Sequence, residues 1–344
     1  MLNLTDFVLS DHENVDANSF ASMGADLLKC KTLYLIFVDN MLTILDDNCY
    51  SDADSGFPPV TFTPRKSPSP HYSNMSSAVM STGRKILFQV CDWGVDFPSA
   101  WAPKLGNSWR VAHDIYPPVN TGGSYSTISR ILNQVVPQTD FAGPGQWLDL
   151  DMLEIGNDVF TNYEEQTHFS LWCIIKSPLI IGAALKDNYN TISSASLDIL
   201  EHPSVISYNQ DSLGVAASFR RRWTEAGYEL WAGPLSGERT VAAIINLFDK
   251  PQNLTLDLPD IGLQSAGVVK DIWNNVSSNN VLTSYSAMVG PHGTLLLELQ
   301  GTTAAGLYNS TFASTAGYIL TGSSLQKQSN IVVAQPQPIT QSTA

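Results

Sequence analysis

The feature that most constrains the fold is a change of rhythm near residue 213. Before it, apolar runs of strand length alternate with helix-length segments; after it, short strands follow one another with only turns between them. Such alternation is typical of a parallel α/β sheet or barrel, and successive short strands of an antiparallel β-sandwich. We therefore expect an α/β domain over residues 1–212, a sandwich over 213–300, and a low-complexity tail or the start of a further module over 301–344.

The composition limits the class of protein. The 344 residues are 43% hydrophobic and 15% charged, which favours a folded core over disorder. A net charge of −14 argues against nucleic-acid binding, because that needs a basic surface. The longest apolar run, Leu33 to Leu45, contains Asp39 and is too short to span a bilayer. We expect no nucleic-acid or membrane partner, and the sequence leaves the oligomeric state open.

Signals for the cellular compartment are mixed. The start of the chain, MLNLTDFVLSDHE, lacks the basic and apolar regions of a secretory signal. Five Asn-X-Ser/Thr tripeptides, the acceptors for N-glycans in secreted proteins, begin at Asn3, Asn74, Asn253, Asn275 and Asn309. The four cysteines fit no zinc-binding pattern, and Cys173 lies in an apolar stretch where a buried thiol is expected.

Polar residues that could form a site are concentrated between Lys85 and Ile115. An apolar strand ends just before Asp92, and a second short run carries Arg110 and Asp114 at its end. Because parallel strands end at the same edge of a sheet, two carboxylates and a guanidinium there predict a polar pocket at the mouth of the sheet or barrel.

The chain resembles the α-galactosidases (melibiases) of glycoside hydrolase family 27. The resemblance covers about residues 11–300, with the motifs in family order. They are VDANSFASMGADLLK, DDNCYSDA, GRKILFQVCDW, GNSWRVAHDI, AGPGQWLDLDMLEIGN, HFSLWCIIKSPLIIGAAL, SVISYNQDSLG and ELWAGPLSGERTVAAIINL. It implies a (β/α)₈ TIM-type barrel followed by a β-sandwich, with the first strand–helix units of the barrel missing.

The implied reaction is hydrolysis of terminal α-galactosides, on oligosaccharides or polysaccharide side chains, with retention of configuration and no metal or organic cofactor. Such enzymes use two carboxyl groups roughly 5–5.5 Å apart. The resemblance places the nucleophile at Asp47 and the acid/base at Asp114. It places substrate-binding positions at Lys29, Cys49, Asp92, Trp93, Arg110, Asp151 and Met152. It also implies a secreted protein.

The chain departs from the family pattern at the first of these motifs. The family has its lysine and nucleophile two residues apart, whereas here residues 30–46 separate Lys29 from Asp47 as an apparent insertion. Asp39 is therefore a rival nucleophile, and we prefer Asp47 because Asn48-Cys49-Tyr50 continues the motif. Asp92 stands where the family has a longer glutamate.

Other interpretations stand beside these. The chain could be a non-catalytic remnant, or have a sister specificity such as β-L-arabinopyranosidase or, less favoured, α-N-acetylgalactosaminidase. Asp149 and Asp151 could instead cap the next helix, and the run Arg220 to Arg222 reads as a solvated turn. His113 and His168 are expected to be structural residues.

Overall fold

A computed structural model describes residues 13–29, 36–38, 41–44, 46–47, 67–115, 125–184, 192–305, 318–321 and 324–327. The helices are α1 Glu13–Ser22, α2 Ser69–Ser81, α3 Tyr125–Val135, α4 Asn162–Ile175, α5 Ser194–Leu200 and α6 Pro203–Asn209. The first strands are β1 Leu27–Lys29, β2 Ile36–Val38, β3 Met41–Ile44, β4 Asp46–Asp47, β5 Leu87–Cys91, β6 Ser108–Arg110 and β7 Trp147–Asp149. The later strands are β8 Ser218–Trp223, β9 Tyr228–Leu235, β10 Arg239–Asn246, β11 Gln252–Asp257, β12 Leu263–Asp271, β13 Val276–Val281, β14 Ser284–Val289, β15 Thr294–Ala304, β16 Tyr318–Thr321 and β17 Ser324–Lys327.

The first half of the chain forms the predicted parallel sheet. Its strand order is β2-β3-β1-β5-β6-β7, with β4 also paired to β5, and every described pairing except β2 with β3 is parallel. Side chains of one sheet face, such as Trp109 and Leu148, are fully buried together with Trp172 of α4. The predicted α/β barrel architecture is therefore confirmed, with the helices packed on the outer face.

The strand interrupted after Lys29 resumes without a gap. Lys29 of β1 lies opposite Gln89 of β5, Asp46 of β4 lies opposite Val90, and Asp47 lies opposite Cys91. Three consecutive positions of β5 are thus paired by residues 29, 46 and 47. In sequence, residues 30–45 therefore separate two parts of one strand, and we call this segment the excursion. The excursion ends one residue earlier than the insertion of residues 30–46 expected from the motif.

The excursion contains the hairpin of β2 and β3, and this hairpin separates the two rival nucleophiles. β3 runs parallel to β1, with Leu27 opposite Thr43, and Val38 pairs with Met41 in the antiparallel hairpin. Val38 and Met41 therefore lie at the edge where the parallel strands begin, whereas β4 reaches the edge where they end. Asp39 itself lies outside the described residues, as do Cys30 and Cys49.

The second half forms the predicted antiparallel sandwich. A six-stranded sheet has the order β13-β12-β15-β10-β9-β8, and β11 pairs with β14 in a smaller sheet. Leucines such as Leu254, Leu256 and Leu297 are buried between them. The interpretation of Arg220 to Arg222 as a turn is wrong: these residues belong to edge strand β8, where Arg222 pairs with the buried carboxylate of Glu229.

The barrel helices and the sandwich share a polar contact centred on α4. Thr167 donates a hydrogen bond to the carbonyl oxygen of His292, at 2.7 Å, and accepts one from Thr294, at 2.8 Å. The imidazole of His292 lies 3.0 Å from Glu164 and stacks on Tyr125, with ring centroids 4.4 Å apart. A single histidine of the sandwich therefore contacts two helices of the barrel.

This contact predicts a stability maximum in mildly acidic solution. Hydrogen bonding to Glu164, with attraction to Asp249, raises the pKa of His292. The contribution of the protonated His292 imidazole to the free energy of unfolding is fully present below its ordinary pKa of 6.5. It is lost as the pH rises through the raised pKa. Burial alone would raise the pKa of Glu164, but hydrogen bonds from His292 and Thr161 lower it overall. The contribution of the ionised Glu164 to stability is therefore lost as the pH falls from the ordinary pKa of 4.5 through the lowered pKa.

The unfolding temperature is expected to be highest between about pH 4.5 and 6.5. Calorimetry of the wild type and His292→Gln at pH 5, 6, 7 and 8 tests this. Between pH 6 and pH 8, the unfolding temperature of the variant should decrease much less than that of the wild type. An equally steep decrease in both proteins would contradict the assignment to His292.

Two further structural facts bear on the sequence expectations. Across the described ranges, every helix is too short or too polar to span a lipid bilayer. Cys91 and Cys173 are both buried, and Cys173 is a free thiol, as expected from the sequence.

Candidate active site

Four neighbouring strands bring one polar residue each to the same level near the edge where they end. Asp47 of β4 lies opposite Cys91 of β5, and Arg110 of β6 lies opposite Asp149 of β7. Since Val90 pairs with Trp109, the next residues, Cys91 and Arg110, are also level. The backbone register therefore produces a row of potential site residues across the sheet.

Arg110 is the centre of the row. It is buried, and its Nη2 atom donates to Asp114 Oδ1, at 2.8 Å, and to Asp151 Oδ2, at 2.7 Å. Its Nη1 atom lies 3.9 Å from the sulfur of Cys91. Burial alone would lower the pKa of Arg110, but attraction to the surrounding anions, Asp151 above all, raises it overall. The guanidinium is therefore a fixed positive charge.

Asp114 is the more exposed of the two carboxylates bound by Arg110. Its side chain retains 34% of its accessible surface, against 9% for Asp151. The indole Nε1 of Trp93 donates to its Oδ1 atom at 3.1 Å, and Arg130 of α3 donates to its backbone carbonyl at 2.7 Å. A positioned but accessible carboxylate can exchange protons with a ligand or water.

Both carboxylate oxygens and the carbonyl oxygen of Asp151 accept hydrogen bonds from protein groups. Its Oδ2 atom accepts hydrogen bonds from Arg110 and from the backbone nitrogen of Ile115, at 2.6 Å, and its Oδ1 atom accepts one from that of Met152, at 2.8 Å. Trp172 of α4 donates to its carbonyl oxygen. Asp151 therefore joins the loops that follow β6 and β7.

The helix-capping interpretation of Asp149 and Asp151 is wrong. The residue that caps α4 is Thr161, which forms a reciprocal capping box with Glu164. Asp149 accepts hydrogen bonds from the side chain of Gln89 and from the backbone nitrogen of Asp151, at 2.9 Å for the latter. Asp149 thus links β7 to β5 across β6, and Asp151 links the loop after β7 to the end of β6 and the loop that follows it.

The loop after β5 supplies the aromatic wall of the site. Trp93 has a left-handed backbone conformation, with φ of 48°, and stacks on His113 with centroids 5.4 Å apart. Gly94 also has positive φ, and a Cβ atom there would lie 2.1 Å from the carbonyl oxygen of Val111. The loops after β5 and β6 are therefore in direct backbone contact. Asp92, which begins this loop, is buried.

The expected site residues are placed to different degrees. The structure brings together the side chains of Trp93, Arg110, Asp114 and Asp151, with Asp92 and Met152 adjacent in sequence. Lys29 and Asp47 are placed by backbone register alone, and Cys49 lies outside the described residues. In the described part of the chain, no group of three or more His, Cys, Asp or Glu side chains is arranged to hold a metal ion.

Arg130 was missed by sequence reasoning. It lies on the amphipathic helix α3, where an arginine is ordinary, and its contact with Asp114 depends on how α3 packs on the sheet. His168, expected to be structural, is fully buried, accepts a hydrogen bond from the backbone of Glu154 and packs edge-on against Trp172.

Two family models match the chain. Residues 59–211 match the melibiase family described as alpha galactosidase A, and residues 225–299 match the alpha galactosidase C-terminal beta sandwich domain. The chain belongs to the melibiase family. The first match contains the loops after β5, β6 and β7, and the second contains most of the sandwich.

Individual relatives extend this result. The chain is 56% identical over 297 residues to the probable alpha-galactosidase D of Aspergillus niger, covering 86% of this chain and 42% of the relative. For the corresponding protein of Aspergillus oryzae the values are 57% over 305 residues, 88% and 43%. The chain therefore spans less than half the length of these two relatives.

Solved structures of α-galactosidases share the fold. Alpha-galactosidase I from Mortierella vinacea superimposes with a TM-score of 0.69 at 28% identity, covering 86% of this chain and 72% of that one. The α-galactosidase from Saccharomyces cerevisiae, solved with raffinose, gives a TM-score of 0.67 at 25% identity, covering 85% and 75%. Both bear out the predicted barrel followed by a sandwich.

Proposed function

We propose that this chain is a retaining glycosidase that hydrolyses terminal α-D-galactosides, with Asp47 as nucleophile and Asp114 as acid/base. The observation that carries the proposal is the pairing of Asp47 with Cys91, which places Asp47 two strands from Arg110 at the edge where Asp114 also lies. Neighbouring strands are about 4.8 Å apart, so the end of β4 and the loop after β6 are close enough to lie on either side of a single sugar.

In the proposed reaction the two carboxyl groups divide the work. Asp47 attacks the anomeric carbon while Asp114 protonates the departing glycosidic oxygen, and Asp114 then takes a proton from the water that releases the sugar. The guanidinium of Arg110 lies 2.8 Å from Asp114 Oδ1 and holds this carboxyl group in place for both steps. Trp93 holds the same oxygen atom of Asp114 in a fixed direction.

The remaining residues are proposed to bind or to position. Asp92, Trp93 and Arg110 would contact the hydroxyl groups of the galactosyl unit, with Met152 beside them. Asp151 acts as a positioning residue, because both of its carboxylate oxygens are engaged by protein donors. Lys29 and Cys49 stay proposed neighbours of the nucleophile, as the family motif implies.

Turnover of p-nitrophenyl α-galactoside tests the assignment. Asp47→Asn is expected to reduce kcat by about 10³-fold or more, since it removes the nucleophile. Asp39→Asn is the matched control and should keep wild-type kcat, because Val38 and Met41 on either side lie at the opposite edge of the sheet. The reverse result would assign the nucleophile to Asp39.

The same assay separates the other candidate functions. A folded wild-type chain without turnover would support a non-catalytic remnant. Faster turnover of the β-L-arabinopyranoside or the α-N-acetylgalactosaminide would support a sister specificity. Circular dichroism on each preparation is needed, so that loss of activity is not mistaken for loss of fold.

We also infer the division of the chain and its compartment. A boundary near residue 212 is supported by the start of the sandwich at β8 and by the two family matches on either side of it. Action outside the cell is supported by the exposure of Asn74, Asn253 and Asn275, three of the five candidate glycan acceptors. Mass spectrometry of protein secreted by a fungal host would test both glycosylation and export.

A further inference from the structure

A cleft outside the proposed active site lies where the barrel helices meet the sandwich. Its volume is about 600 Å³, within the range of small-molecule sites. Its walls come from the start of α4, from α5 and α6, and from the turn after β12. Because α4 follows β7, its first turn lies at the end of the barrel where the strands finish, and the cleft opens near the same rim as the active site.

Trp273 forms the aromatic surface of the cleft. It is only partly buried, and its indole Nε1 donates a hydrogen bond to Ser170 of α4 at 3.0 Å. His202 packs edge-on against the ring, with centroids 5.0 Å apart and planes at 67°. The indole is thus held in one orientation before any ligand arrives, which lowers the entropy cost of binding.

Polar side chains surround this ring. Asn162, Gln166 and Asp198 line the cleft and retain access to solvent. The Nδ1 atom of His202 is buried and has no hydrogen-bond partner within the described part of the protein. Burial lowers the pKa of His202, so its imidazole is neutral at pH 7 and offers one donor and one acceptor.

The charge of the cleft restricts the ligand class. None of its described lining residues is a lysine or an arginine, so nothing there compensates a phosphate or carboxylate ligand. A fixed aromatic face with amides, a carboxylate and a neutral imidazole around it matches a molecule with one apolar face and several hydroxyl groups. A pyranose ring has this character.

We propose that the cleft is a second saccharide-binding site, which takes a neutral pyranose unit with one face on Trp273 and its hydroxyls on Asp198, Gln166 and His202. It would hold part of a longer sugar chain near the rim of the active site. The neutral-sugar chemistry stands by itself, and only the choice of an α-galactoside as ligand rests on the proposed function.

Asn275 adds a constraint on the experiment. It lines the cleft and begins an Asn-Val-Ser glycan acceptor sequence, so a glycan there would lie at the mouth of the cleft. The test therefore uses the full chain produced in bacteria, in which Asn275 carries no glycan.

Two tryptophans report on the two sites in one titration. The full chain carries Asp47→Asn, which under the proposed function leaves raffinose uncleaved. It is labelled with ¹⁵N-tryptophan and titrated with raffinose, while the indole N–H resonances are followed by NMR. Trp93 donates to Asp114 and reports on the active site, whereas Trp273 donates to Ser170 and reports on the cleft. Trp93→Phe and Trp273→Phe identify the two resonances, and each variant keeps an aromatic ring in place.

The Trp273 resonance is expected to shift in a saturable manner. Asp198→Ala should raise the raffinose concentration at half-saturation of Trp273 by about five-fold or more, and leave that of Trp93 unchanged. Glu201→Ala is the matched control, since Glu201 is exposed at the end of the same helix and does not line the cleft. A shift of Trp273 alone would support the cleft and reject the catalytic proposal. A shift of Trp93 alone, or an unaltered Trp273 titration in Asp198→Ala, would overturn the second site.

Discussion

Deletion of residues 30–45, which joins Lys29 directly to Asp46, is expected to preserve the proposed turnover of α-galactosides, whereas deletion of residues 30–46 is expected to abolish it. In the first variant, residues 29, 46 and 47 still lie opposite Gln89, Val90 and Cys91. In the second, Asp47 moves back one position along the strand. Because successive strand positions alternate between the faces of a sheet, this shift moves Asp47 to a position that belongs to the opposite face.

The two deletions differ by one residue and are each other's control. Both remove the β2–β3 hairpin from the edge of β1, so any effect of exposing that edge is common to them. Activity should be expressed per folded molecule, from near-ultraviolet circular dichroism on the same preparations. Equal activity in the two variants would show that Asp47 does not act from this strand position. If only the 30–46 deletion were active, the strand would resume at Asp47 and not at Asp46, one residue later than in the register described.

The strength of the local sequence pattern determines how much of the fold could be predicted. The sequence predicts a helix over residues 162–176, because apolar residues recur there and Pro178 follows; α4 begins after its cap, Thr161, and ends at Ile175. Strand β5 was equally clear, as an apolar run followed by polar loop residues. Helix α6 was not recognised, because seven residues are too few for a helical period to stand out.

The site was predictable only in part, since its contacts cross between elements distant in sequence. Asp114 and Arg110 lie in one short run and could be paired from the sequence alone. The role of Asp151 could not be decided, because its bond to the backbone of Ile115 depends on β6 and β7 being neighbours. The contact of Arg130 could not be predicted for the same reason. The three consecutive arginines of β8 obscured a strand in which Arg222 pairs with Glu229 of the next strand.

Replacement of Arg110 by methionine is expected to destabilise the chain by about 3–5 kcal/mol, the cost of removing one partner from a buried ion pair. Arg110 is buried and contacts Asp114 and Asp151 with one nitrogen, so its loss leaves the buried Asp151 without its counter-charge. Urea unfolding followed by tryptophan fluorescence measures the effect. Arg110→Lys should recover only part of the loss, because one ammonium group does not reproduce the planar fork of arginine.

Two further variants separate this electrostatic account from a simple loss of packing. Arg221→Met breaks the exposed pair with Asp260 and should leave the unfolding midpoint almost unchanged. The double variant Arg110→Met/Asp151→Asn removes the cation and its buried anion together, so it should be more stable than Arg110→Met alone. The single variant Asp151→Asn completes the cycle. If the double variant were less stable by the full sum of the effects of Arg110→Met and Asp151→Asn, the two side chains would be energetically independent. In that case the charge of Arg110 would not be what holds the ends of β6 and β7 together, and those ends would depend instead on the backbone hydrogen bond that Val111 donates to the carbonyl oxygen of Asp149, at 3.1 Å.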